Sequence, residues 1–340
     1  MKTILLKIVD YFDLYQIFNR FTKNTATVFM LHRISNERED CINGFSTEIL
    51  REYFDYLKKN KYKVIRLSSY INALINNEKM KKTVVFTVDD GYRDFYLNAY
   101  EIFKQYNYPA SIFITSDFIE GDLVFWWDKV EYVINNTMKQ EICLKKLNVI
   151  NMRIDTALEK ARAIGIIVER LKEIKNEDKL ELIKVFINEM EVDISGRKGN
   201  GYDPLEWDDI YEMKENRIEF FPHTKTHPIM SKIPLKKKIE ELSISKNILE
   251  KRLGESGNIF CYPNGGIKDF DEETISVLKS LDYVAAVTGL PGLDYTNRKV
   301  DMYRIHRFGL SSNMTLFKQH ICGLESFKRK MLGTLLKKYR

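Results

Sequence analysis

The sequence predicts an α/β fold, a parallel sheet with helices packed around it, carrying one mostly helical insertion. Three observations point to that class. Short β-branched runs end in polar or glycine residues, as where Thr83-Val84-Val85-Phe86-Thr87-Val88 runs into Asp89-Asp90-Gly91. Amphipathic stretches of helical length separate those runs, which is the spacing of βαβ units. The rhythm then breaks at Phe125-Trp126-Trp127-Asp128 and resumes only near residue 218.

In chain order, Ile4, Leu5, Ile8, Val9, Phe12, Tyr15 and Phe18 fall at helical spacing and predict an amphipathic helix within residues 1–24. Thr27-Val28-Phe29-Met30-Leu31 reads as a buried strand running into His32-Arg33. Ser46-Thr47-Glu48 opens a helix over 49–60, and a short strand follows over 62–67. The run 83–88 is too short for a helix and reads as a strand, followed by a helix over 95–105. Pro109-Ala110-Ser111-Ile112-Phe113-Ile114-Thr115 makes the next buried strand. Residues 125–212 are helical in pattern and heavily charged, most of all over 159–191, and read as an insertion. Strands are expected again at 218–221, 258–262 and 283–287, with helices at 236–253 and 275–281. The α/β unit thus covers 25–310, and 311–340 is a basic helical tail, amphipathic over 327–338.

The 340 residues exceed what one small core fills, so one large domain with an insertion, or two domains, is expected. A 44% hydrophobic and 30% charged composition excludes a disordered or collagen-like chain. The 54 basic residues nearly balance the 48 acidic ones, so no nucleic-acid partner is expected. Cys41, Cys143, Cys261 and Cys322 are scattered without a CxxC pair and read as free thiols, mostly buried. The run Ile4-Leu5-Leu6 is cut by Lys7, too short for a secretory or spanning segment, so the expected location is the cytoplasm. The basic amphipathic ends either pack on the fold or make peripheral contact with the inner face of the membrane.

Three features at strand ends carry the chemistry. Two adjacent carboxylates, Asp89 and Asp90, close an apolar strand, which is costly unless a cation sits beside them. His223 and His227 lie four apart in a short turn bracketed by Pro222 and Pro228, and neutral imidazole is the commonest transition-metal ligand. Phe260-Cys261-Tyr262-Pro263-Asn264-Gly265-Gly266 is a strand entering a tight loop whose backbone N–H groups could face a substrate oxygen. Trp126-Trp127 reads either as core packing or as a platform for stacking sugars.

In this order the motifs resemble those of the polysaccharide deacetylases of the NodB-homology type, carbohydrate esterase family 4, from about residue 25 to 310 outside the insertion. Thr87–Gly91 resembles the family's TFDDG motif with Val88 for Phe, His223–His227 its H(S/T)xxH, and Phe260–Gly265 its RxPxG-type loop. Gly91-Tyr92-Arg93-Asp94 and Tyr108-Pro109-Ala110-Ser111-Ile112-Phe113 fit the flanks. The resemblance implies a distorted (β/α)7-type barrel. It implies one divalent metal on Asp90, His223 and His227, with Zn²⁺ foremost and Co²⁺, Ni²⁺ or Mn²⁺ compatible with the same donors. Asp89 would be the general base toward a water attacking the acyl carbon. Tyr262, Pro263 and Asn264 would meet the substrate or its oxyanion, the last through its backbone N–H. The general acid is His32, at the end of the first strand as in a permuted branch of the family, or His306 near the last strand. His320 reads as a solvent-exposed histidine.

One departure matters. Cys261 stands where many members carry the arginine that pairs with the catalytic aspartate, and Arg304 or Arg307 is the candidate replacement. The implied substrate is an N-acetylated amino-sugar glycan, whether polymer, oligosaccharide or lipid-linked. The competing reading is a catalytically silent carbohydrate-binding or assembly protein on the same fold.

Overall fold

A computed structural model of the chain describes residues 14–36, 44–197, 201–254 and 257–324. We name the sheet strands β1 (Ala26–Leu31), β2 (Lys63–Val64), β3 (Thr83–Val88), β4 (Ala110–Ile114), β5 (Ile218–Pro222), β6 (Ile259–Cys261), β7 (Ala285–Val287) and β8 (Phe308–Gly309). The helices are α1 (Thr47–Lys59), α2 (Leu67–Asn76), α3 (Tyr100–Tyr106), α4 (Trp126–Asn136), α5 (Ala157–Glu173), α6 (Asn176–Glu189), α7 (Trp207–Glu215), α8 (Leu235–Leu253), α9 (Glu272–Ser280) and α10 (Met314–Ile321).

Every strand pairing in the main sheet is parallel, in the order β8-β1-β3-β4-β5, with β2 on the first two residues of β3 and β4 on its last two. All six residues of β3 are buried, as a strand covered on both faces requires, which is why it reads as an unbroken apolar run. Strands β6 and β7 form a second parallel pair. One segment joins the two sheets: Ile305 bridges Val287, and Phe308 three residues on pairs with Phe29. Among the described residues no ladder connects β5 to β6, so these strands are hydrogen-bonded as two sheets.

Between the sheet and the helices, Phe29, Phe54, Phe86 and Phe103 pack ring to ring. Each large apolar side chain buried this way contributes about 1.5–3 kcal/mol. Helix α10, which lies in the expected tail, joins this core through Phe317, 5.3 Å from Phe29 and stacked on Tyr53 at 4.0 Å. His320 on the same helix is buried and stacks on Phe308, contrary to the expected exposure, because α10 turns that face onto β8. The stretch 327–338 lies outside the described residues. Of the N-terminal amphipathic stretch, Leu14–Thr22 forms a 3₁₀ helix with Tyr15 packed against Cys322 and Leu324. Cys261 and Cys322 are buried thiols, whereas Cys143 is exposed on a hairpin edge.

The insertion has its own core, with Trp126, Val130 and Val133 of α4 against Ile167 and Leu171 of α5 and Phe186 of α6. It is not wholly helical. Glu141–Leu144 and Val149–Arg153 form an antiparallel hairpin, missed because its alternation lasts only four residues on the first strand. Helix α2 also went unread in the sequence, although its Leu67, Tyr70, Ile71 and Leu74 are buried on one face.

Candidate active site

The polar residues gather where parallel strands end. Leu31 leads into His32, Val88 into Asp89-Asp90, and Pro222 into His223, and because the strands are parallel these ends share one rim. Asp90 sits at φ 79°, a left-handed conformation that costs a non-glycine residue of order 1–3 kcal/mol. It is held by Asp89 N–H donating to Leu31 C=O at 2.9 Å and Thr115 N–H donating to Asp90 C=O at 3.2 Å. Gly91 follows at φ 95°, and a Cβ there would lie 2.9 Å from Ile119 Cδ1 and 3.1 Å from Ile114 Cγ2, so only glycine fits.

His223 and His227 are on a loop, not a helical turn. Thr224 and His227 adopt left-handed φ of 67° and 59°, and Thr224 Oγ1 accepts from His227 N–H at 2.9 Å. Glu241 of α8, unremarked in the sequence, fixes the loop by accepting from the N–H groups of Lys225 and Thr226 at 2.8 and 2.7 Å. The fold thereby brings three donor atoms together. His223 Nε2 and His227 Nε2 are 3.1 Å apart, and they lie 3.5 and 3.3 Å from Asp90 Oδ1. The carbonyl of Cys261 accepts from His223 Nδ1 at 2.8 Å, which puts a proton on Nδ1 and aims Nε2 into the site. Burial pushes the His227 imidazole down to about 4, so it is neutral, whereas for His223 burial is outweighed by Cys261 and the hydrogen bond with Asp90, which raise it well above the ordinary value, so a cation bound there would displace a proton from Nε2. Burial acts to raise Asp90, but hydrogen bonds from the two imidazoles outweigh it and hold the carboxylate well below its ordinary range. Two imidazoles and a carboxylate converging in a buried spot beside a cavity are a donor set that fits one divalent cation of the zinc type.

Asp89 is 2% exposed and meets Arg307, from the segment between β7 and β8. Nη1 donates to Oδ1 at 2.7 Å and Nη2 to Oδ2 at 2.8 Å, a bidentate pair. The other three N–H groups of the guanidinium go to Thr87 Oγ1 at 2.9 Å, Thr288 C=O at 2.9 Å and Cys261 Sγ at 3.1 Å, so all five are used. Burial acts to raise Asp89, and the ion pair with Arg307 prevails and holds it below its ordinary range. Burial pushes the Cys261 thiol up, so it packs beside the pair as a neutral group. His32 Nε2 lies 3.8 Å from Asp89 Oδ2 with its ring half exposed to the cavity, where a leaving group would be reached.

Comparison with known proteins follows the same residues. The polysaccharide deacetylase family model matches residues 76–286, more than half of the chain. The chain belongs to the polysaccharide deacetylase family. The poly-β-1,6-N-acetyl-D-glucosamine N-deacetylase of Escherichia coli K12 is 31% identical over 81 residues, 23% of this chain and 12% of that protein. The chain therefore spans about an eighth of that relative's length. Among solved structures, the Streptococcus pyogenes deacetylase PplD in complex with acetate has a TM-score of 0.57 at 19% identity, covering 86% of this chain and 97% of that one. IcaB from Ammonifex degensii gives 0.56 at 15% identity, covering 88% and 97%. Both likenesses concern the fold.

In this member of the family the remaining expected residues divide. His306 is held away from Asp89, with Nδ1 2.8 Å from Asp294 Oδ1, and it does not line the cavity. Arg304 is half-buried and pairs with Asp301 and Glu272. Tyr262 is turned into the core, stacked on Phe270 at 4.0 Å with its hydroxyl donating to Tyr303 C=O at 3.0 Å, so its side chain is no substrate contact. Of the loop, Asn264, at φ 59°, reaches the cavity, whereas Pro263 is not among the lining residues.

The cavity of about 330 Å³ has two walls. His32, Asp89, Asp90, His223, His227 and Asn264 belong to the sheet's rim, and the opposite wall comes from the insertion. Both tryptophans are core and wall at once. Trp127 packs its edge on His227 with centroids 4.7 Å apart, and its Nε1–H donates to Tyr92 OH at 3.0 Å, which in turn donates to Asp128 at 2.8 Å. Burial raises the Asp128 carboxyl to about 8, so it is protonated at neutral pH. On α5, Ala163, Ile167 and Leu171 face the insertion core, which leaves Ile164, Gly165, Val168 and Lys172 facing the cavity. Arg33, stacked over Tyr92 at 4.0 Å, completes the rim. Neither this wall nor the Tyr92–Asp128 pair had a signal in the sequence beyond the Trp-Trp-Asp triplet.

Proposed function

We propose that this polysaccharide deacetylase hydrolyses an N-acetyl, or similar small acyl, group from an amino sugar of a surface glycan or its precursor. The observation that carries the reading is the pairing, in one cavity, of the Asp90–His223–His227 donor set with a carboxylate clamped by Arg307. Asp90, His223 and His227 would hold one divalent metal, Zn²⁺ foremost, which when bound supplies Lewis acidity to a water and to the acyl carbonyl. Asp89, kept ionised by Arg307, takes the proton of the attacking water. The developing oxyanion lies within reach of the Asn264 backbone at the cavity wall. His32, beside Asp89 and open to the cavity, returns a proton to the departing amine, which could not leave as an anion.

The unit responsible spans residues 25–310 with 125–212 inserted, and α10 packs onto it. The Escherichia coli relatives deacetylate poly-β-1,6-N-acetyl-D-glucosamine, which supports N-acetylglucosamine as the sugar. A roof supplied by the insertion favours a short glycan or a chain end over the middle of a long polymer. The silent-binder reading rested on the missing arginine at position 261, and the Arg307–Asp89 pair favours the enzyme instead. No described helix is long and apolar enough to cross a membrane. A cytoplasmic location remains part of this proposal.

The test is acetate release from N-acetylglucosamine oligomers and from a lipid-linked N-acetylated sugar. Wild type is assayed after chelation and after return of Zn²⁺, Co²⁺, Ni²⁺ or Mn²⁺, beside Asp89→Asn and His32→Ala. Release that chelation stops, metal restores and both substitutions abolish is expected. Release untouched by chelation would overturn the metal reading, and metal binding without release from any substrate would favour the silent binder.

A further inference from the structure

At the opposite end of the strands lies a feature the chemistry does not use. Two adjoining depressions there are lined by Arg20, Lys23, Lys61, Lys63, Lys79, Lys81 and Lys82, against the single carboxylate of Glu78 among the described lining residues. Their formal charge of +6 equals the net charge of the whole chain, so the rest of the molecule is balanced. All are exposed except Lys82, which is half-buried, with Nζ donating to Asn60 C=O at 3.2 Å. Burial, with Lys81 and Lys61 close by, lowers that ammonium below the ordinary lysine range.

Apolar side chains stand beside the cations. Ile17 lines the same depression as Arg20, Lys23, Lys81 and Lys82 and is 60% exposed, with Leu14 exposed one turn before it. The 3₁₀ helix that carries them is anchored from below by Tyr15, against Cys322 and Leu324. An aliphatic edge rimmed by lysines is the chemistry of a surface that meets acyl chains and anionic headgroups together. A nucleic-acid groove would instead offer aromatic rings for base stacking, and none of the described lining residues is aromatic.

We infer that this basic face docks the protein on an anionic membrane surface, with Leu14 and Ile17 entering the headgroup boundary and its lysines pairing with lipid phosphates. The orientation has a consequence for the substrate. Strand β3 begins at the docked face, where Thr83 lines the depression, and ends at Asp89, a rise of about 20 Å for six residues. The cavity then opens away from the bilayer, toward glycan that extends from the surface and not toward a sugar bonded directly to lipid phosphate.

The test is co-sedimentation of the full chain with phosphatidylcholine vesicles containing phosphatidylglycerol, beside vesicles of phosphatidylcholine alone. Wild type is expected to bind the anionic vesicles and to be released by raised salt. The triple variant Lys61→Gln, Lys63→Gln, Lys81→Gln is expected to bind about 100-fold more weakly, since each lysine near such a surface contributes about fivefold. Ile17→Ser is expected to lower the salt concentration at which the protein is released. Unchanged melting temperature and unchanged deacetylation would show that both variants are folded. Binding that survives the triple substitution would overturn the assignment, because the basic sequence at 327–338 would then be responsible. Absence of vesicle binding, or equal binding to neutral vesicles, would overturn it as well, and so would salt-sensitive capture of a DNA oligomer with no vesicle binding.

Discussion

Replacing Arg307 by alanine should change both the stability of the protein and the pH range over which it works. The guanidinium is 1% exposed and uses all five N–H groups, two of them on Asp89. Removing it leaves a carboxylate buried beside Val88 and Cys261 without its cation. Breaking a buried pair from one side costs about 3–5 kcal/mol. The sign with pH follows from linkage. In wild type the Asp89 carboxyl is held below its unfolded value, so its stabilisation is present above about pH 4 and is lost as pH falls through the folded value. Without Arg307 the main influence holding the carboxyl down is gone, and burial, opposed then only by His223 and His32, raises it. The acid limb of kcat/KM should move to higher pH, and activity lost by the variant should return as pH is raised. Denaturant unfolding measures the first effect and a pH–rate profile on the metal-loaded protein the second. Arg307→Ala combined with Cys261→Arg offers a control, since Cys261 Sγ lies 3.4 Å from Asp89 Oδ2 and a guanidinium there can restore the pair. An acid limb that stays where wild type has it, in a folded and metal-loaded Arg307→Ala protein, would refute the argument that this arginine sets the ionisation of Asp89.

Other outcomes follow from the same geometry. His32→Ala should lower kcat roughly 10²–10⁴-fold, the usual worth of a general acid, while His306→Ala leaves kcat within about twofold and costs only the Asp294 contact. Equal losses from both would remove His32 from the acid role. Gly165→Ala should stabilise α5 by about 1 kcal/mol, since a Cβ there meets no protein atom within 4 Å, yet lower kcat/KM on glycan by entering the cavity. Stabilisation with unaltered kinetics would take that wall out of the substrate's path. Asp128 binds a proton in the fold that the unfolded chain gives up near pH 4, so it should make stability decline from about pH 4 to about pH 8, by at most about 1.4 kcal/mol per unit. Asp128→Asn keeps an acceptor for Tyr92 and should flatten that decline in chemical denaturation; a decline of undiminished slope would assign it to other groups.

Much of the site was legible because its signals are local. An apolar run too short for a helix, ending in two carboxylates, places Asp89 and Asp90 at a strand end whatever the rest of the chain does. The pair His223 and His227 between prolines is equally self-contained. The glutamate that shapes their loop was not legible, because Glu241 sits on a charged helix like many other acids there, and only packing turns it toward Lys225 and Thr226. The hairpin at 141–153 and helix α2 were missed for a related reason: their periodic patterns are brief, and context decides them.

By itself the sequence determined the α/β class and the strand ends that bear the polar groups, and the resemblance of its motifs to a known family pointed to Asp90, His223 and His227 as the candidate metal donors. The class and the strand ends depend on periodicity and spacing within a few residues. Only the tertiary structure decided which arginine serves Asp89, which histidine stands beside it, and what faces them across the cavity. Arg307 lies 218 positions from Asp89, and Arg304 three residues earlier pairs with Asp301 and Glu272 instead. The difference arises because the segment 305–309 is shared between β7 and β1, a sheet order that no local pattern states, and that order aims Arg307 inward. The same packing put a protonated aspartate, two tryptophans and a bare glycine turn of α5 opposite the metal donors. Long-range pairing decides such neighbours, because hydrogen-bond ladders and buried surface are optimised over the whole sheet and not along the chain.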